Sequence, residues 1–227
     1  MTQSYFVIGT DTNVGKTYVA SRLVQYFAQS GLKAIGMKPI ASGCEVGAQG
    51  ELQNEDVIAL SNASNVVAAK KLINPYQFAP AIAPHIAAEQ AAVVISLDAI
   101  VNAYQQLTTL AEVVIVEGAG GFFVPLNQTQ TLADLAVQIN IPIILVVGIR
   151  LGCINHALLT VEAINARGLT LAGWVANEID PNSCMFAENL TSLQQRIAAP
   201  CLSVVRWQGE ATFNLTSVYQ QIKGACL

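Results

Sequence analysis

Apolar residues along this chain fall into two rhythms that alternate from one end to the other. Tyr5-Phe6-Val7-Ile8, Val113-Val114-Ile115-Val116 and Pro142-Ile143-Ile144-Leu145-Val146-Val147 are short unbroken runs rich in β-branched and aromatic residues. Such runs suit strands of a parallel sheet that is covered on both faces. Between them, apolar residues recur three and four apart, the spacing of a helix with one buried face. Residues 18–29 carry Val19, Leu23, Val24 and Phe27 in that pattern, and Ser30-Gly31 ends it. Ser96 reads as the N-cap of a helix with Leu97, Ile100, Val101, Tyr104 and Leu107 on its apolar side. The same reading predicts strands over 33–37, 171–176 and 201–205. It predicts helices over 57–60, 131–139, 155–166 (ended by Gly168), 187–197 and 215–222. Residues 74–84 hold three prolines and no period, so they read as a loop, with Pro84-His85 opening the next helix.

Strands alternating with helices predict an α/β fold, a P-loop NTPase-like three-layer sandwich with a mostly parallel sheet and helices on both faces. No repeat, low-complexity tract or linker interrupts residues 1–227, which read as one domain. Composition fits a large core. The chain of 227 residues is 53% hydrophobic and 11% charged, with a mean hydropathy of +0.47. No apolar run reaches the ~20 residues of a membrane helix; the longest, 141–149, contains Pro142 and Gly148. A subunit interface could bury the remaining apolar surface. The first residues lead straight into a strand, so no signal peptide is expected. Five cysteines (44, 153, 184, 201 and 226) are odd in number and form no Cys-x-x-Cys pair. That pattern fits reduced thiols in a cytoplasm better than disulfides or zinc. A net charge of −4, with eleven basic residues and no basic cluster, argues against a nucleic-acid partner.

Chemistry concentrates first at Gly9-Thr10-Asp11-Thr12-Asn13-Val14-Gly15-Lys16-Thr17, between a strand and a helix. In that setting the backbone N–H groups at the helix start converge on one point, and the helix dipole favours an anion there. Lys16 is expected to reach the outer phosphates of a nucleotide and Thr17 to offer its hydroxyl to Mg²⁺. One feature departs from the usual loop: Gly9 stands one position early, and Thr10 sits where glycine is expected. A second centre is Glu117-Gly118-Ala119-Gly120-Gly121, where a buried strand ends in one carboxylate and a glycine-rich turn. An acid at that position can hold Mg²⁺ opposite the loop hydroxyl, and the glycines allow close approach to a ligand. Lys38 sits at the carboxyl end of its strand, where open α/β sheets bind ligands. Taken alone it also reads as a solvated lysine before a turn, and Asp56 as a carboxylate favoured at a helix start. His85 has no Asp, Glu or Cys at ligand spacing and reads as a packing or hydrogen-bonding residue.

Taken together, the chain closely resembles the dethiobiotin synthetase family. The match rests on the loop ending in Thr17, Lys38-Pro39-Ile40-Ala41-Ser42-Gly43, Asn74-Pro75-Tyr76 and Pro84-His85. It continues in Val116-Glu117-Gly118-Ala119-Gly120-Gly121, Leu151-Gly152-Cys153-Ile154-Asn155-His156 and Ala172-Gly173-Trp174-Val175-Ala176-Asn177, in the family's order, and fades after Glu178. The early Gly9 is that family's own form of the loop. The resemblance implies an ATP- and Mg²⁺-dependent cyclo-ligase. It would carboxylate 7,8-diaminononanoate with CO₂, pass through a carbamate and a carbamic–phosphoric anhydride, and close the ring of dethiobiotin with release of ADP and phosphate.

By the same resemblance, Lys38 and Lys16 are the catalytic lysines and Ser42 touches the carbamate or diamine. Thr17, Asp56 and Glu117 surround Mg²⁺. Asn13, Val14, Gly15, Lys16, Thr17 and Tyr18, with the Gly118-Ala119-Gly120 backbone, meet the nucleotide. Asn177 reads the adenine edge, with Glu178 and Arg206-Trp207-Gln208 beside it. A homodimer is implied, in which the distant substrate carboxylate crosses to Gly152, Cys153 and Asn155 of the other subunit, near Asn189. Three positions depart from the family: Glu178 where Asp is familiar, Arg206-Trp207-Gln208 in place of a Pro-Trp-Leu-like segment, and Asn189 in place of a Tyr. The alternative is a P-loop switch ATPase of the partitioning or division-site type. Those usually carry a further lysine early in the loop, where this chain has Thr10-Asp11-Thr12. An amide synthase of the cobalamin pathway would need a glutamine-hydrolysing domain, which this length leaves no room for.

Overall fold

A computed structural model describes residues 3–48 and 50–214. The chain opens with β1 (Gln3–Gly9) and α1 (Lys16–Gln29), then β2 (Ala34–Met37), β3 (Ile40–Ser42), β4 (Glu45–Val46) and β5 (Leu52–Gln53). Next come α2 (Glu55–Ala63), α3 (Lys70–Ile73), β6 (Tyr76–Phe78), α4 (Pro84–Gln90) and α5 (Leu97–Leu110). Then follow β7 (Val113–Gly121), α6 (Leu132–Ile139), β8 (Ile143–Ile149), α7 (Cys153–Ala166), β9 (Leu171–Glu178), α8 (Phe186–Arg196) and β10 (Cys201–Val205).

Six strands form one sheet in the order β10-β9-β8-β1-β7-β2, and every neighbouring pair is parallel. Side chains alternate between its two faces, as the period of a strand requires. Tyr5 and Val7 pack with Val19, Leu23 and Phe27 of α1, while Phe6 and Ile8 join the opposite core with Ile100, Leu135, Ala157 and Leu193 of α5 to α8. The predicted three-layer α/β sandwich is therefore the observed one. Because the strands are parallel, all their carboxyl ends open on one rim. The loop after β1, Lys38 after β2, the turn after Glu117 in β7, and Asn177 to Gln208 around β9 and β10 share that rim.

Departures from the sequence reading are local. Helix α2 begins at Glu55, two residues before the expected start, because Asn54 caps it: its Oδ1 accepts from Asp56 N (3.1 Å) and Val57 N (3.4 Å). The proline-rich loop contains β6, which pairs in parallel with β3, so Ile40, Ala41 and Ser42 face Tyr76, Gln77 and Phe78. Both strands are three residues long, too short for a periodic signal. The predicted helix over 215–222 and Cys226 lie outside the described residues.

Candidate active site

The loop between β1 and α1 is shaped by two glycines. A Cβ on Gly9 would lie 2.7 Å from the Val14 side chain, so the early glycine lets the loop fold back on itself. Gly15, the N-cap of α1, has φ 91°, and a Cβ there would lie 2.2 Å from Asn177 Nδ2. Both facts exclude a side chain at that position. Thr10 needs no glycine freedom, because its φ is not positive, and its N–H donates to Val146 O at 3.1 Å just past the end of β1. Among the described residues, the N–H groups of Asn13, Gly15, Lys16 and Thr17 find no acceptor. They are the open donors that an anion at a helix start would use. Lys16 Nζ reaches back to Asp11 O at 2.7 Å, and Arg150 pairs with the Asp11 carboxylate. Burial, then the neighbouring charge of Lys38, lowers the Lys16 pKa to about 8.

Four side chains, from α1, the link after β2, α2 and β7, converge beyond the loop. Lys38 is 4% exposed and Glu117 0%. The Lys38 ammonium lies 2.6 Å from Glu117 Oε1 and 2.7 Å from Asp56 Oδ2. Thr17 Oγ1 lies 2.6 Å from Asp56 Oδ1 and 2.7 Å from Glu117 Oε1. A hydroxyl has one proton, so it cannot satisfy both carboxylates at once. Desolvation works against the charged form of Lys38, yet Glu117 and Asp56 outweigh it and raise its pKa. Burial would raise the Asp56 carboxyl, but Lys38 and Thr17 hold it below the ordinary range. Complete burial pushes the Glu117 carboxyl up, against the pull of Lys38.

These groups fit a divalent cation. Glu117 Oε2 is buried and has no hydrogen-bond partner among the described residues, so one carboxylate oxygen is left over beside Thr17 and Asp56. Two carboxylates and a hydroxyl form a hard oxygen set that suits Mg²⁺, which ordinarily completes its shell with phosphate oxygens and water. Among the described residues there is no cluster of three His, Cys, Asp or Glu that would hold a metal by itself.

Two openings meet at the loop. A cavity of about 880 Å³ is walled by Thr12, Lys16, Thr17, Lys38, Ser42, Asp56, Glu117, Ala119 and Gly120, with Ala81 to Pro84 along its far side. The Ser42 hydroxyl is buried and unpartnered among the described residues. Lys38 is fixed through its main chain: its N–H donates to Ile73 O at 2.8 Å, and its carbonyl accepts from Asn74 Nδ2 at 2.6 Å. Asn54 joins the two walls, since its Nδ2 donates to Ser42 O at 3.3 Å while it caps the helix of Asp56. The second opening, about 260 Å³, lies between Gly15, Tyr18, Asn177, Glu178 and residues 205–209. Asn177 Nδ2 donates to Val14 O at 2.9 Å, and Tyr18 Oη donates to Gly209 O at 2.9 Å.

The structure thus gathers Lys16, Thr17, Lys38, Ser42, Asp56, Glu117, Ala119 and Gly120 around one cavity. Asn13, Gly15, Tyr18, Asn177, Glu178, Arg206, Trp207 and Gln208 border the other. Val14 is buried beneath the loop, and the Gly118 carbonyl lies 3.4 Å from Lys38 Nζ. Gly152, Cys153 and Asn155 at the start of α7, and Asn189 on α8, line neither opening. Asn189 turns back to Met185 O at 2.9 Å. Sequence reasoning missed Asp11, Arg150, Asn54 and the supporting part of Asn74. An Asn two residues before Asp56 was a readable cap signal; the other contacts leave no local trace.

An AAA domain family matches residues 3–213. The chain is 49% identical over 205 residues to the ATP-dependent dethiobiotin synthetase BioD of Nitrosospira multiformis, covering 90% of this chain and 88% of that protein. It is 52% identical over 203 residues to the protein of that name from Aromatoleum aromaticum, covering 89% and 90%. The chain belongs to the dethiobiotin synthetase family. Its architecture recurs more widely, at identities that speak for the fold alone. The MinC:MinD cell division protein complex of Aquifex aeolicus aligns at TM-score 0.56 and 13% identity, over 92% of this chain and 82% of that one. The septum site-determining protein MinD complexed with Mg-ADP, from Pyrococcus horikoshii, aligns at TM-score 0.53 and 13% identity, over 90% and 81%. This dethiobiotin synthetase family member therefore shares its parallel sheet with division-site proteins, while its sequence kinship over nearly the whole chain lies with the synthetases.

Proposed function

We propose that this protein is an ATP-dependent dethiobiotin synthetase, acting as one domain. It would join CO₂ to 7,8-diaminononanoate and close the ureido ring, using ATP with Mg²⁺ and releasing ADP and phosphate. The observation that carries this reading is the buried Lys38 ammonium between Glu117 and Asp56, facing the same cavity as the phosphate loop. Phosphoryl transfer depends chiefly on positioning and on neutralising charge. In this reading the open N–H groups of residues 13–17 cradle the phosphates, and Lys16 leaves Asp11 O for the outer ones. Thr17, Asp56 and Glu117 hold Mg²⁺, which when bound neutralises charge on the phosphate oxygens. Lys38, fixed by Ile73 and Asn74, stabilises the carbamate made from the first amine and the negative charge that grows as its oxygen attacks the γ-phosphate. Ser42, with an unused hydroxyl in the wall, orients the carbamate or diamine. The second amine then closes the ring on the carbamic–phosphoric anhydride and expels phosphate.

The same reading includes a homodimer. The start of α7 supports it: Leu151 is fully exposed, and Gly152 caps a 14-residue helix in the left-handed region with no side-chain cap. Such a helix start can receive a carboxylate, and it lies outside the cavity of its own chain. A substrate spanning two subunits would meet it as Gly152, Cys153 and Asn155 of the partner subunit. Among the described residues no helix is long and apolar enough to cross a membrane, and we place the enzyme in the cytoplasm. The test is phosphate release from MgATP with and without 7,8-diaminononanoate and bicarbonate, with the product weighed by mass spectrometry. Release that requires both, together with dethiobiotin, is the expected result. Release indifferent to the diamine would overturn the reading in favour of a switch ATPase.

A further inference from the structure

The loop that would cradle phosphate contains an acid. Residues 9–17 carry one carboxylate, Asp11, and one ammonium, Lys16, so the loop brings no net side-chain charge to an incoming anion. The acid has a local task. Its Oδ1 accepts from Thr12 N at 2.7 Å, and its carbonyl accepts from Lys16 Nζ at 2.7 Å. Gly9 leaves room for the second contact, since a Cβ there would lie 3.0 Å from both Asp11 O and Lys16 Cδ. A charged acceptor holds a backbone N–H more firmly than a neutral one, so the carboxylate orders the turn. It also sets a negative charge beside a site for anions. That charge is felt at Lys16, together with those of Lys38, Glu117 and Asp56.

The other carboxylate oxygen, Oδ2, is taken by Arg150 Nη2. Strand order brings the two side chains together. Strand β8 lies beside β1 with Val146 opposite Gly9, so the chain leaving β8 passes the loop leaving β1. The Arg150 main chain is anchored at the start of α7, where its carbonyl accepts from Cys153 N at 3.0 Å. We propose that Arg150 is a positioning residue for polyphosphate: by cancelling the charge of Asp11, it lets a loop ordered by an acid receive a polyanion. This rests on the nucleotide reading of the loop. Like charges repel well beyond hydrogen-bond distance, and a triphosphate multiplies the repulsion by its several charges. Both side chains are 45% exposed, so water and salt screen the effect and keep it to a few-fold.

The experiment is calorimetric binding of inorganic tripolyphosphate and of MgATP to the full chain, at low and at high salt. Arg150→Ala is expected to weaken tripolyphosphate about fivefold relative to the unaltered protein at low salt. That ratio should shrink toward one at about 0.5 M salt. Asp11→Asn removes the charge but keeps the carbonyl for Lys16 and a side-chain acceptor for Thr12 N. The double variant, Asp11→Asn with Arg150→Ala, should therefore return to within about twofold of the unaltered protein. Arg150→Lys, which keeps the charge, should bind like the unaltered protein. Unchanged affinity in Arg150→Ala overturns the proposal. A loss that the double variant retains, or that salt leaves untouched, also overturns it, since either would make Arg150 a prop of the turn and nothing more. Failure of the nucleotide reading shows before any variant is made: the unaltered protein would bind neither tripolyphosphate nor MgATP.

Discussion

Lys38→Ala separates the two tasks of the central lysine. In the folded chain its ammonium lies 2.6 Å from Glu117 Oε1 and 2.7 Å from Asp56 Oδ2. Removing one partner of a buried pair leaves an uncompensated charge, at a cost of about 3–5 kcal/mol. The Asp56 side chain is 37% exposed and solvent screens its share, so the lower end, about 3 kcal/mol, is the appropriate figure. At about 2–4 °C per kcal/mol for a chain of this size, the melting temperature should fall by roughly 10 °C. MgATP should close much of that gap, because it returns positive charge to the two carboxylates and binds only the folded state. The assay is thermal unfolding by circular dichroism of both proteins, without ligand and with MgATP, alongside diamine-dependent phosphate release. Turnover should nearly vanish while MgATP affinity stays within a few-fold. Equal melting temperatures, or a deficit that MgATP leaves untouched, would refute the idea that Lys38 neutralises this pair.

Further expectations concern the loop and its supports. The fold holds Lys16 at about 8 against an ordinary 10.5, so its charged form weakens the fold below pH 8, and this cost is relieved as pH rises toward 10.5. ATP affinity should run the other way and fall as pH rises through about 8; a flat binding profile between pH 7 and 9, or the same slope in Lys16→Gln, would remove Lys16 from the phosphates. Thr17→Val keeps the shape but deletes the hydroxyl, and should weaken the Mg²⁺-dependent part of ATP binding by about tenfold, read by calorimetry with and without Mg²⁺. Asn54→Ala should lower stability by about 1 kcal/mol through the lost cap and reduce turnover by loosening Ser42 and Asp56; denaturant melts and kinetics on one preparation test both halves.

Much of this was legible because the signals are local. The loop from Gly9 to Thr17 stands between a strand and a helix that each announce themselves by period, and the run into Glu117 reads as a buried strand ending in one acid. What brings the site together is not local. Thr17 meets Asp56 across 39 residues and Glu117 across 100, which only the strand order fixes. Lys38 and Asp56 therefore admitted a bland reading each, until the parallel register of β1, β2 and β7 set them on one rim. Asn74 carried no mark of its task, because a buried amide that holds another residue's carbonyl looks like any loop asparagine. Arg206 and Glu178 are far apart in the chain, so their ion pair at 3.1 Å left no local trace either.

The meeting of Gly15 with Asn177 has a consequence for anyone who would redesign this enzyme. One side chain fills the hollow left by the missing Cβ and ties down the residue that precedes it, so under the proposed function the grip on the phosphates and the choice of base would share a single piece of hardware. A library that varies position 177 alone will mostly return proteins with a slack phosphate loop, and its losses will be misread as a poor fit to the new base. Productive variants must be sought in pairs, with the replacement at 177 judged first by whether it still packs flat against a bare backbone at 15.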